Sequence, residues 1–215
     1  MTPANILART VQAALALTVV GALIVMKWYL AFVAGAALAL SLAPEAAMQR
    51  MGGRMPRSFS AGIVLFLAGT LVLGEAMNFY EKLWWWDLLL HFGSAVGLGL
   101  LAFLMAFMVF EGERYAAPPT ALAVIAIAGA LAIGALWEIF EYGMDTTFGM
   151  NMQKSGLDDT MHDLIVDALG AAAAGAFGRI WLTRRHRQDQ NGPMDEFVRH
   201  NHGWIRRILR GDGRA

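Results

Sequence analysis

Long apolar runs separated by short polar connectors dominate the chain. A membrane-spanning helix needs roughly 20 predominantly apolar residues, and six segments qualify, at about 10–26, 29–47, 60–80, 86–110, 119–143 and 160–182. The expected fold class is therefore all-α: a polytopic membrane domain of about six transmembrane helices over residues 1–183, followed by a basic tail over 184–215. Only Lys27-Trp28-Tyr29 separates the first two spans, which suits a tight hairpin. The first stretch runs past Trp28 and Tyr29 without a cleavage site and reads as a retained helix rather than a signal peptide. Pro118-Pro119 opens the fifth span, where a missing N–H does no harm. Disorder is expected around Arg187 to Met194. From Asp195 to Arg210 the pattern turns amphipathic: Phe197, Trp204, Ile205, Ile208 and Leu209 form one face, with Arg199, Arg206, Arg207 and Arg210 around it. Such a helix would lie on the anionic inner leaflet, so the expected partners of the tail are membrane lipids and not nucleic acid.

Only 16% of the 215 residues are charged, against about a quarter in a soluble domain, which also points to lipid. Net charge is zero, but the charges are sorted by loop. Arg9, then Arg50, Arg54 and Arg57, then Arg114, then Arg184, Arg185 and Arg187 fall on one side, whereas only Lys27, Lys82 and Lys154 fall on the other. The positive-inside rule then places both termini in the cytoplasm. Trp84, Trp85 and Trp86 fall at the outer interface, where amphipathic rings are favoured. Cysteine is absent, which excludes disulfides, thiolate metal sites and thiol catalysis.

In that topology Glu75, Glu81, Asp87, Glu138, Glu141, Asp145, Asp158, Asp159, Asp163 and Asp167 all belong to the outer half, facing only the three lysines. Three helix ends present acids at helical spacing. Asp87 and His91 share a face at the start of the fourth span; Glu138, Glu141 and Asp145 form a stripe at the end of the fifth. Asp159, Asp163 and Asp167 form a ladder descending roughly 12 Å from the start of the sixth. Glu75 could reach the same level, and His162 pairs in spacing with Asp158. A charged carboxylate at the bilayer centre costs about 2.5–3.5 kcal/mol on insertion scales, so either protons or a cation must relieve the cluster. Carboxylates with one imidazole suit a single divalent ion such as Mg, Mn, Ca, Fe or Zn. The expected ligands are Asp87, His91, Glu138, Asp159, Asp163 and Asp167, with Glu141 as the base for an ion-bound water.

Plainer readings stand beside these. Asp158 and Asp159 suit N-capping and dipole compensation, Asp87 suits a cap, and Asp145 and Glu81 suit solvated loops. His91 could be a hydrogen-bonded buried histidine. Gly93-x-x-x-Gly97 and the small-residue run from Gly170 to Gly178 read as packing faces. The thirteen methionines read as gap fillers, although Met144, Met150 and Met152 by the acidic loop would be the place for copper. His200 and His202 read as surface residues.

Asp87-Leu-Leu-Leu-His91-Phe, Trp137-Glu138-Ile-Phe-Glu141 and Asp159-Thr-Met-His-Asp163 followed by Gly170 resemble the YjdF-like family of bacterial inner-membrane proteins. More distantly, the pattern is similar to VanZ-like proteins, which carry Asp and His in one span, Glu in the next and an acidic-Gly pattern in the last. The resemblance covers roughly residues 60–180. The first family implies no particular reaction. The second implies work at the outer envelope, through its association with resistance to a glycopeptide antibiotic. VanZ-like proteins usually show Gln where this chain has Glu141 and an amide where it has Asp167, so this site is the more acidic. The resemblance singles out Asp87, His91, Glu138, Asp163 and Gly170.

The leading expectation is a metal-dependent site opening outward from the bacterial inner membrane, acting on an envelope or lipid-linked substrate. No nucleophile motif, phosphate-cradling loop or arginine clamp assigns a reaction, so enzymatic activity is left undecided. Cation or proton translocation along Asp159, Asp163 and Asp167 is the first rival, although Ala171 to Gly178 offers it no polar continuation. A non-catalytic envelope or interaction protein is the second.

Overall fold

The structure, a computed structural model, describes residues 3–50, 52–110, 117–185 and 192–209. Its elements are all helical among the described residues: α1 (Pro3–Ile24), α2 (Trp28–Arg50), α3 (Arg57–Leu67) continued by a π-helix (Ala68–Ala76), α4 (Phe79–Lys82), α5 (Trp86–Phe110), α6 (Pro119–Phe148), α7 (Leu157–Arg184) and α8 (Pro193–Leu209). Six helices are long and apolar enough to cross a membrane, the third being α3 with its π-helical continuation. Large apolar side chains stand exposed along them, among them Leu17, Phe32, Leu136 and Leu169. In a multi-pass membrane protein that surface meets lipid tails, so no water-driven penalty attaches to it.

The chain divides into two compact units, Met1–Trp86 with Asn191–Ala215, and Asp87–Gln190. In the first, α1 buries Ala8, Leu15 and Ala22, one residue every two turns, which makes a single narrow stripe. Ala8 packs with Ala61 and Val64 of α3. The α1–α2 hairpin is as tight as the sequence implies: Met26 takes a left-handed conformation (φ 57°) and the Lys27 N–H returns to the Ala22 carbonyl at 2.8 Å. The third span departs from a uniform helix. Its wider π turns leave the Gly69 carbonyl to accept from the Trp86 indole at 3.3 Å, and the Tyr80 ring occupies the space a side chain at Gly74 would need.

Helix α8 belongs to this first unit. Phe197, Val198, Asn201 and Ile205 are buried, and the Phe197 ring stacks on Phe59 at 5.4 Å. The Asn201 amide accepts from the Arg54 N–H and donates to the Arg54 carbonyl, both at 2.7 Å. The amphipathic helix is present, and part of its apolar face meets protein rather than a lipid surface. The side chains of Trp204, Arg206, Arg207, Ile208, Leu209 and Arg210 lie outside the described residues, as do Arg114 and most of the segment expected to be disordered, Arg187 onward; Pro193 and Met194 are helical.

The second unit is α5, α6 and α7. Small residues on α7 set its approach to the other two. A Cβ on Gly170 would stand 2.6 Å from the Phe92 carbonyl oxygen, and one on Gly178 would enter the Phe103 ring. Gly175 faces Ile127 and the Ala123 carbonyl of α6 in the same way. On α5 the close approach is made by Gly99, against Ala174. Gly93 and Gly97, expected to form a packing face, have open space where a Cβ would go. A G-x-x-x-G spacing marks a helix face without saying whether a neighbour covers it.

Candidate functional site

The end of this unit where α5 and α7 begin and α6 finishes gathers the acids. Asp87 lies in the first turn of α5 and His91 one turn deeper. Glu138 is among the buried residues of α6, and Asp163 and Asp167 are among those of α7. Exposure falls to 8% for His91, 4% for Glu138, 2% for Asp163 and 1% for Asp167, so four ionisable side chains are enclosed together.

Their geometry orders the imidazole. Nδ1 of His91 stands 3.4 Å from both carboxylate oxygens of Asp167. With its proton on that side, the ring presents the Nε2 lone pair toward Glu138, whose Oε1 is 3.8 Å away. That gap is too long for a hydrogen bond but suits two ligands about 2.1 Å from a common ion. Asp163 completes the group: one ligand atom from each of His91, Glu138 and Asp163 lies within 4.8 Å of the others. Neither oxygen of Glu138 has a hydrogen-bond partner among the described residues. Thr160 lies beside it; its hydroxyl accepts from Gln153 Nε2 at 2.5 Å and keeps its own O–H to turn toward Glu138. A buried, unpartnered carboxylate costs several kcal/mol unless something neutralises it.

A second group, the half-buried Asp87 and Asp159 with the buried Asp163, also brings one carboxylate oxygen from each within 4.8 Å of the others. Lys154 reaches in from the α6–α7 loop, its Nζ 3.7 Å from Asp87. Asp159 also accepts the Lys154 N–H at 3.1 Å. The loop is held by Asp145, whose two oxygens accept the N–H groups of Met152 and Gln153 at 2.7 and 2.8 Å. Asp145 is thus a clamp rather than the solvated residue expected, and it sets the path that brings Lys154 over Asp87.

The expected ligands fall into distinct places. His91, Glu138 and Asp163 meet; Asp87 and Asp159 meet Asp163 from outside; Asp167 belongs to neither group and holds the far side of His91. Glu141, the expected base, accepts from the Trp137 indole at 2.8 Å and lies within electrostatic reach of Glu138 and His91. Asp158 and His162 are exposed and in neither group. Asp158 does not cap: Gly156 holds the N-cap position of α7 without a side-chain hydrogen bond, leaving Asp158 and Asp159 to face the helix dipole in the first turn. Glu75 accepts from Tyr29 within the first unit. Sequence reasoning gave Lys154 and Asp145 no part in shaping the site and passed over Gly134, on whose face the Asp167 carboxylate lies too close to admit a Cβ. A lone lysine in an acid-rich loop was the one available signal.

A protein of Thermotoga maritima named "Uncharacterized protein" is 38% identical over 100 residues, or 46% of this chain and 50% of that relative. The chain thus spans about half the length of the curated relative it matches. No solved structure matches. Residues 7–184 match a single family along nearly the whole membrane domain, reaching across every residue of both acidic groups, and the chain belongs to that family, described as Predicted membrane protein (DUF2238).

Proposed function

We propose that the α5–α7 unit binds a divalent ion between His91, Glu138 and Asp163, and that the protein uses it on an envelope or lipid-linked substrate at the outer face of the bacterial inner membrane. The observation that carries this reading is Glu138: buried, with only the Thr160 hydroxyl beside its carboxylate among the described residues, and facing Nε2 of an imidazole whose Nδ1 lies against Asp167. Asp167 then acts as the outer partner that fixes the tautomer of a ligating histidine. Glu141, one turn from Glu138, is assigned as the base for an ion-bound water. The outward orientation rests on the arginine-rich loops, which put both termini in the cytoplasm. Envelope work is what the resemblance of the acidic motifs to VanZ-like proteins would imply. Translocation is disfavoured because the polar ladder ends at Gly170, beyond which buried Ala171, Ala174 and Gly175 offer no relay.

Metal content by mass spectrometry on protein in nanodiscs tests this reading. Wild type and Asp158→Asn should retain a divalent ion, and folded Glu138→Gln should lose it. A wild type that takes up none of Mg, Mn, Ca, Fe or Zn when these are supplied would overturn it and favour protonated acids in a structural or proton-coupled role.

A further inference from the structure

The connection from α6 to α7, residues 149–156, crosses the end of the three-helix unit at which His91, Glu138, Asp163 and Asp167 are enclosed. It is tied to each helix in turn. Asp145 of α6 accepts the N–H groups of Met152 and Gln153, Asp159 of α7 accepts that of Lys154, and the Lys154 ammonium stands 3.7 Å from Asp87 of α5. The Gln153 side chain donates to the hydroxyl of Thr160, which lies beside Glu138. These anchor points flank the buried group, since Asp87 and Asp159 each bring an oxygen within 4.8 Å of one from Asp163.

Two features mark the segment as a piece that moves. It begins and ends at glycines in the left-handed region, Gly149 (φ 66°) and Gly156 (φ 65°), and a Cβ at either would meet nothing within 4 Å. Glycine stands there for its backbone freedom and not for close packing, so the chain can swing about both ends. Between them the side chains are exposed or half-buried throughout, so polar ties rather than apolar burial hold the segment down. A segment held in that way opens at a free energy well below that of global unfolding.

We propose that residues 149–156 form a strap closed over the mouth of the His91, Glu138 and Asp163 pocket, swinging about Gly149 and Gly156 to admit a small hydrophilic ligand from water. Closure also reaches the buried carboxylate. With Gln153 in place the Thr160 hydroxyl accepts on one side and keeps its O–H for Glu138 on the other, so lifting the strap frees that hydroxyl to turn away. The inference concerns access, so it is tested without a metal and stands or falls apart from the metal reading.

The chain lacks cysteine, so one introduced thiol measures access directly. Glu138→Cys in the full chain in nanodiscs is treated with a small water-soluble methanethiosulfonate, and its rate of modification is followed by mass spectrometry, alone and combined with Asp145→Ala or Lys154→Met. Behind the intact strap Glu138→Cys should react slowly. Asp145→Ala should speed it about tenfold, the effect on an opening equilibrium of losing a hydrogen bond to a charged group. Lys154→Met should speed it by a smaller factor, because its ion pair is partly exposed. Asp145→Asn, whose amide keeps a single accepting oxygen, serves if Asp145→Ala does not fold. Leu122→Cys, buried near the opposite end of α6, should stay unreactive in every background. Glu138→Cys reacting as fast as the exposed Ser155→Cys behind an intact strap overturns the closure. A rate unchanged by loss of the ties overturns the swing, and equal acceleration of Leu122→Cys overturns it too, because the whole unit then loosens.

Discussion

Asp167 stands beside His91 without belonging to either group of candidate ligands. It sits against Nδ1 of His91 at 3.4 Å, and Gly134 of α6 leaves the room its carboxylate occupies. Replacing it with Ala frees the imidazole to rotate and change tautomer, and leaves a buried N–H without a partner. Asp167→Ala should therefore lower metal affinity about 10–100-fold, the usual cost of losing such an outer partner, and lower stability by about 1–3 kcal/mol. A metal titration and a thermal melt of the same preparation check both effects. At this scale the sequence displayed the acids well, because Asp159, Asp163 and Asp167 recur at the helical repeat and so had to share a face. It did not display which acid meets which nitrogen. That depends on how far α7 slides along α5, and no spacing within one helix records it. The roles of Lys154 and Asp145 went unread for a related reason: they arise from the path of a loop, fixed by backbone N–H groups that every residue but proline carries alike.

The three helices of the site keep their register through points where a side chain has been omitted. Gly170 is the strictest of these, since its missing Cβ would press on a main-chain oxygen, Phe92, which cannot rotate away. Phe92 follows His91 directly, so a push there moves the imidazole as well as the helix. Gly170→Ala should cost about 1–3 kcal/mol by overpacking and weaken metal binding with it. Gly93→Ala, which meets open space, should be neutral or stabilising by up to about 1 kcal/mol through helix propensity. Melting temperatures in detergent compare the two, and equal shifts would contradict the packing assigned to Gly170. The helices themselves were legible because spanning lipid demands long apolar runs and little else. The π turns of Ala68–Ala76 were not: the run from Ala68 to Ala76 is as apolar as its neighbours and holds no proline, and the distortion is tied to Trp86, ten residues beyond the end of the π-helix. The G-x-x-x-G pair at Gly93 and Gly97 misled in the opposite direction, since small residues permit a close neighbour without supplying one.

At the scale of the molecule, two independent features bear on how the chain lies in the membrane. Arginines concentrate in alternate loops, and six spans return the chain to the side on which it began. Within the first unit, Asn201 of the C-terminal helix clasps the main chain of Arg54 in the α2–α3 loop, which requires the tail and that loop to share one side. An odd number of spans between the start and the tail would place the N-terminus opposite them; six place it with them. Because the chain has no cysteine, single cysteines report topology without background. Ser155→Cys, exposed in the α6–α7 loop beside the acidic group, should react with a membrane-impermeant maleimide on intact spheroplasts. Gln49→Cys, exposed at the end of α2 before the basic loop, should react only after the membrane is opened. The reverse pattern would turn the acidic site toward the cytoplasm, removing envelope substrates from consideration while leaving the proposed metal site of His91, Glu138 and Asp163 untouched. Labelling of both residues from outside would mean that the even number of spans is wrong, and with it the common side that the Asn201 clasp requires.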